Sequence, residues 1–214
     1  VRLSLWDDPA VTRIDSSCPD GLWAIIPSYT PGRDEFERRA AEAERDELAG
    51  RFEGRRFRVT RGVELGEYDF ARQRYPATID ALSSCRGSGM AITIALSRAR
   101  VAEHREREGT VVGIYREWAA EPVATHIEVP EERAAELVRA PEGMLGALRG
   151  PPALRAEIIF ETASARVDRR MHRDAIGETD IGAGALIQGR VVAIRITNTR
   201  TDEILLDTTA EGAP

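Results

Sequence analysis

From Arg56 onward the apolar residues of this chain recur at every second position. That is the repeat of a pleated strand with one face toward a core, not the 3.6-residue repeat of a helix. Phe57, Val59, Val63 and Leu65 alternate with polar neighbours, with Arg61 interrupting the apolar face. Gly66 then precedes a second candidate strand, Tyr68 to Tyr75, so the two read as a hairpin. Met90, Ile92, Ile94 and Leu96 define one strand face, and Ala91, Thr93, Ala95 and Ser97 the other. Small residues on the second face let another element approach closely, which predicts a central strand covered on both sides.

The same pattern continues toward the C-terminus. Val111 to Trp118 and Val123 to Val129 are strand-like, and Leu154, Ala156, Ile158 and Phe160 alternate with Arg155, Glu157 and Glu161. The last of these describes a half-buried strand with cross-strand ion pairs on its wet face. Ala185 to Thr197 is another strand, and Asn198 to Glu203 turns the chain into Ile204 to Thr208. Between these strands, Arg98 to Gly109 is rich in Glu and Arg and reads as a helical turn or an exposed loop.

Two segments carry helix signals. Arg33 to Phe52 opens with Asp34 and Glu35 where the macrodipole favours acids, and has Gly50 and Gly54 near its end. Asp34 with Arg38, Glu35 with Arg39 and Glu47 with Arg51 are i,i+4 pairs, while Phe36, Ala40, Ala43, Leu48 and Phe52 form a narrow apolar stripe. The second helix starts at Pro130, has Glu131 and Glu132 in its first turn, buries Ala134, Leu137 and Val138, and stops at Pro141. A short apolar segment, Met144 to Leu148, follows before Gly150 and two prolines.

The pattern implies an α+β chain: a mainly antiparallel sheet or sandwich of about seven to nine strands with two principal helices. Residues 1–214 read as a single domain, in which 1–31 is an N-terminal arm carrying Trp6 and Trp23 among Pro, Asp, Ser and Gly. Those tryptophans pack the arm on the body and are the candidate interaction residues. Within the arm, Leu22 to Ile26 is a short strand candidate.

Composition excludes several classes of function. The net charge is −6, and all 30 basic residues are Arg, interleaved with acids rather than pooled. An acidic chain without a basic stripe lacks the electrostatic footprint that phosphate contacts need, so no nucleic-acid partner is expected. Apolar runs such as Val191 to Ile194 fall far short of the ~20 residues of a transmembrane helix. The chain opens on Val1 without the basic, apolar and small-residue succession of a signal peptide, and a removed leader, a non-Met start and a truncated frame all fit that opening.

Cys18 and Cys85 each follow Ser-Ser in a turn-rich stretch. Two readings stand side by side, a disulfide and two unrelated free thiols. A disulfide would close a long loop, stabilise by roughly 4 kcal/mol and imply an oxidising compartment. Export to the periplasm or outside the cell is therefore favoured over the cytoplasm.

Chemical motifs are sparse. His104, His126 and His172 are far apart and belong to no metal-binding spacing, and no metal or cofactor is expected. Ser88 is flanked by glycines, but Arg86 stands where a nucleophile elbow needs Gly and a strand follows where it needs a helix. The glycine-rich run from Ile176 to Ala185 holds Glu178 and Asp180, fewer acids than a calcium site uses, and it feeds a strand rather than a phosphate-binding helix. Glu64, Glu67 and Asp69 are the acids to inspect for acid and base chemistry, with turn and surface roles as the simpler account. Tyr68, Phe70 and Tyr75 would make a stacking face in a carbohydrate or nucleic-acid binder, but read more simply as half-core aromatics.

What remains is a non-catalytic interaction or structural module, an exported subunit of a larger assembly with a protein partner. Two alternatives stay open. One is a hydrolase using acids or histidines from separate strands, and the other a small-ligand carrier with an apolar cavity.

Overall fold

A computed structural model describes residues 4–14, 34–87, 90–108, 111–138, 154–173 and 179–209. Cys18, Trp23, Leu22 to Ile26, Ser88 and Met144 to Leu148 lie outside the described residues. The elements in chain order are β1 (Thr12–Ile14), α1 (Glu35–Gly50), β2 (Arg56–Leu65), β3 (Arg74–Ile79), β4 (Leu82–Gly87), β5 (Met90–Ala95) and β6 (Ala99–Glu108). They continue as β7 (Val111–Ala120), β8 (Val123–Glu128), α2 (Glu131–Val138), β9 (Leu154–Arg173), β10 (Thr179–Asn198) and β11 (Glu203–Thr209). Hydrogen-bonded neighbours run β4-β5-β10-β9-β2-β3-β8, with β1 on β2 and β11 on β10, while β6 and β7 form a separate two-stranded ribbon.

The α+β class and the two helices agree with the alternation and capping signals. The expectation of a mainly antiparallel sheet needs correction, because the large sheet is mixed. β10 runs parallel to β5, with Gly184 opposite Ala91 and Gln188 opposite Ala95. Alternation places a residue on a face but carries no information about strand direction. A parallel pair needs a long crossover, and the long stretch of chain between β5 and β10 supplies one.

The chain groups into two compact units. The first comprises Val1–Phe57, Ala81–Glu121 and Glu161–Arg190. Its central strand is β5, where Ile92, Thr93, Ile94 and Ala95 are all buried between β4 and β10, as a strand with two apolar or small faces should be. Leu186 and Ile187 of β10, Phe52, Phe57 and Trp6 are buried in the same unit. Phe52 and Phe57 meet at a ring separation of 6.3 Å, and the Arg55 guanidinium lies 5.5 Å from the Phe57 ring. Between α1 and β2 the backbone of Gly54 takes φ +73°, a conformation that costs an L side chain strain, and its N–H donates to the Thr162 carbonyl at 2.9 Å.

Helix α1 starts where Asp34 caps it, its carboxylate accepting from the Glu37 N–H at 2.9 Å. Glu47 and Arg51 form the expected ion pair at 2.9 Å. Of the expected apolar stripe, Phe36 is 84% exposed, and Ala40 and Ala43 face solvent. Phe52, beyond the helix end, is buried.

The second unit comprises Arg58–Asp80, Pro122–Phe160 and Val191–Pro214. β3 pairs antiparallel with β2 and β8, β11 pairs antiparallel with β10, and β11 comes alongside β8. Val59, Ile79, Ile127, Ala156, Ile158, Phe160, Ala193 and Ile196 fill its interior. In β9 the expected alternation holds, with Ile159 additionally buried beside it. On the outward side Glu161, which belongs to the first unit, takes Arg56 at 3.2 Å and Arg190 at 3.5 Å, the cross-strand ion pairs the sequence implied. Arg61 keeps its place in β2 half-buried, donating to the Thr60 carbonyl at 2.7 Å. Burial lowers its pKa and the nearby Asp80 carboxylate opposes that effect.

Three local expectations are corrected. Within the expected turn or loop Arg98 to Gly109, Ala99–Glu108 is strand, because β6 pairs rung by rung with β7 from Ala99–Ala120 to Glu108–Val111. Its Glu and Arg residues are good helix formers, but the β-prone partner strand decides the backbone. The second strand of the first hairpin begins at Arg74 rather than Tyr68. There the Asp69 carboxylate accepts from the Arg72 N–H at 3.1 Å, and Gln73 takes φ 49°, which folds 69–73 into a turn. The glycine-rich run is strand from Thr179 onward, where β10 begins.

Because Ile94 is 1% exposed on the central strand, Ile94→Ala removes buried methyls and leaves a cavity. Urea unfolding is expected to show a loss of about 2–5 kcal/mol. Ile204→Ala, at a position 53% exposed, is expected to change stability by less than about 0.5 kcal/mol.

Candidate functional site

Helix α2 builds one side of a groove in the second unit. Pro130 ends the extended chain before it, and its carbonyl accepts from the N–H groups of Arg133 and Ala134 at 2.9 and 3.0 Å. Ala134 and Leu137 then fall on the buried side, and Arg133 and Glu136 on the exposed side. Two phenols hold this seat. The Tyr68 hydroxyl donates to the Val129 carbonyl at 2.6 Å and the Tyr75 hydroxyl to the Ala134 carbonyl at 2.9 Å.

Across from the helix, the β10–β11 turn supplies the other wall. Asn198 is buried and accepts the Arg200 N–H on its side-chain oxygen at 3.0 Å, while Asp202 takes φ 55° to close the turn. Arg133 reaches over to both carboxylate oxygens of Glu203, at 2.7 and 2.9 Å, and Arg200 donates to the Glu136 carbonyl at 3.3 Å. Between these bridges lies a groove of about 360 Å³, with Leu137, Ile204 and Leu205 among its apolar walls.

The electrostatics favour the donating forms of Arg133, Tyr68 and Tyr75. Hydrogen bonding and charge attraction from Glu203 hold the Arg133 guanidinium above its ordinary range. Desolvation raises the Tyr68 phenol, helped by the charges of Glu131, Glu132 and Asp69, and desolvation alone raises Tyr75. On the neighbouring turn, hydrogen bonds from Arg72 hold the Asp69 carboxyl below its usual value.

The aromatic trio singled out in the sequence does come together. Tyr68 packs edge-on against Phe70 at 5.0 Å and tilted against Tyr75 at 4.8 Å. Tyr75 is buried and Phe70 is 68% exposed, so the cluster is core at one end and surface at the other. Trp6 is 8% exposed in a short 3₁₀ turn, Leu5–Asp7, whose first free N–H is taken by Ser4. Cys85 stands in β4 opposite Ile92.

His126 lies in β8 opposite Pro76, with its Nε2 4.0 Å from Glu128, and His104 stands opposite Tyr115 in the ribbon. Glu64 pairs across β3 with Thr78, Glu67 is exposed, and Asp69 is engaged with Arg72 at 3.0 Å. Among the described residues no three His, Cys, Asp or Glu side chains gather where they could hold a metal ion, and no helix is long and apolar enough to cross a membrane. The sequence did not single out Arg133, Glu203, Arg200 or Asn198. Arg133 and Glu203 are far apart in the chain, and their one signal was that Arg133 falls outside the buried stripe of its helix.

Comparison of the chain with protein-family models, with curated proteins and with solved structures returned no match in any of the three.

The two phenols generate a pH dependence. Their folded-state pKa values lie above the ordinary value of about 10. Their contribution is therefore complete below pH ~10 and is lost as pH rises through the folded-state values. Chemical denaturation at increasing alkalinity should show stability falling in that window, and Tyr68→Phe/Tyr75→Phe should flatten the fall. At neutral pH, Tyr75→Phe alone should cost about 1 kcal/mol, measured by the same method.

Proposed function

We propose that this chain is a non-catalytic assembly module, an exported subunit that engages a protein partner through the ribbon β6–β7. The observation that carries this reading is the ribbon itself. It has ten paired rungs, yet among the described residues no third strand joins either outer edge. An isolated two-stranded ribbon is marginal in water, and a long unpaired edge is a template for another chain. A partner strand would complete the backbone pairing along such an edge. The interleaved Arg and Glu residues of β6 suit polar, register-defining contacts with that partner.

A small-ligand carrier is the second reading, favoured by the groove beside α2. Its walls carry Glu128, Arg133, Glu136, Arg200 and Glu203, and an ion pair spans it. Carrier pockets are mostly apolar and enclosing, so the groove supports this reading less well than the ribbon supports assembly.

The test is isolation of the chain under native conditions, beside a variant in which residues 103–116 are replaced by Asn-Gly. The wild-type chain should come with a stoichiometric protein partner, and the shortened variant should lose the partner while keeping its folded circular dichroism spectrum. A partner retained by the shortened variant would exclude the ribbon. Export rests on Cys18 being joined to Cys85, so thiol labelling of the native protein should modify neither residue before reduction and both after it.

A further inference from the structure

We infer that the partner at the β6 edge is a second copy of this chain, paired strand to strand about a two-fold axis at His104. This inference rests on the assembly reading. β7 comes alongside β4 within the first unit, and the Ala99 N–H at the start of β6 donates to the Gln188 side chain at 3.2 Å, so the stretch of β6 offered to a partner begins at Arg100. Two copies of β6 meeting antiparallel would turn two ribbons of two strands into one sheet of four, in the order β7-β6-β6-β7. Each unpaired edge then acquires a full ladder of backbone hydrogen bonds.

The order of charges along Ala99–Glu108 selects the register. A two-fold axis at His104 sets Arg100 opposite Glu108 and Glu103 opposite Arg105, each pair occurring twice, with no like formal charges opposed. Among the other two-fold registers that pair most of β6, an axis at Glu103 or at Arg105 opposes that charged residue to its own copy, and an axis at Ala102 opposes no unlike charges. Opposed like charges destabilise a strand pair and opposed unlike charges favour it, so the sequence of β6 is complementary to itself in one alignment and not in its neighbours.

Two positions test this without disturbing the ribbon, because Arg100 stands opposite Ala119 and Glu108 opposite Val111 within it. Sedimentation equilibrium of the full chain should show a reversible dimer. Arg100→Glu and Glu108→Arg should each weaken the dimer on the order of tenfold. The double variant Arg100→Glu/Glu108→Arg, which restores unlike pairs, should return to near the wild-type constant. A wild-type chain that stays monomeric at high concentration overturns the second-copy inference, as does a dimer indifferent to these substitutions. In either case a different partner that is lost with the ribbon would leave the assembly reading standing. A dimer that survives replacement of residues 103–116 by Asn-Gly would overturn the inference, and the absence of any ribbon-dependent partner would take the assembly reading with it.

Discussion

Strand β10 is the constraint on which the rest of the sheet depends. Its backbone is shared among β5, which it pairs in parallel, β9, and β11, which it pairs antiparallel. Buried N–H and C=O groups must find partners, and a strand with this many neighbours meets that demand for itself and for them at once. Leu186, Ile187, Ala193, Ile194 and Ile196 along it are buried, so the segment that organises the hydrogen bonding also contributes apolar area to the interior of each unit. A proline within it would remove a ladder donor, and a polar residue would leave an unmet group in the core.

Much of this was legible in residues whose neighbours along the chain carry the information. The alternation of Ile92, Ile94 and Leu96 against Thr93 and Ala95 describes a strand covered twice, and those residues are buried. Pro130 with two following acids marks the start of α2, and the turn at Asn198 to Glu203 joins β10 to β11. What was not legible depends on residues far away. The direction of β10 relative to β5 is set by where the intervening chain returns. The strand state of the Arg- and Glu-rich β6 is set by β7, and the groove pairs Arg133 with Glu203 across a long separation. Asp69 is intermediate: its turn chemistry was present in the sequence, but the aromatic pattern around it pointed the other way.

The candidate site shows the same division of labour. Elements close in sequence set the positions: Pro130 starts the helix, Asn198 and Asp202 shape the opposing turn, and the Tyr68 to Tyr75 segment brings up two phenols. Contacts distant in sequence then close the groove, chiefly the two-oxygen grip of Arg133 on Glu203. An exposed ion pair of this kind adds little to stability, so the groove does not depend on it for the fold.

The phenolic anchors of α2 attach to main-chain carbonyls, at Val129 and Ala134, and not to side chains. Every residue type carries a carbonyl, so those anchors are blind to what the helix displays outward. Substitutions at Arg133 or Glu136 can therefore alter the charge and shape of the groove's rim without unseating the helix that bears them. The fold thus contains a surface open to change over a mounting that is not.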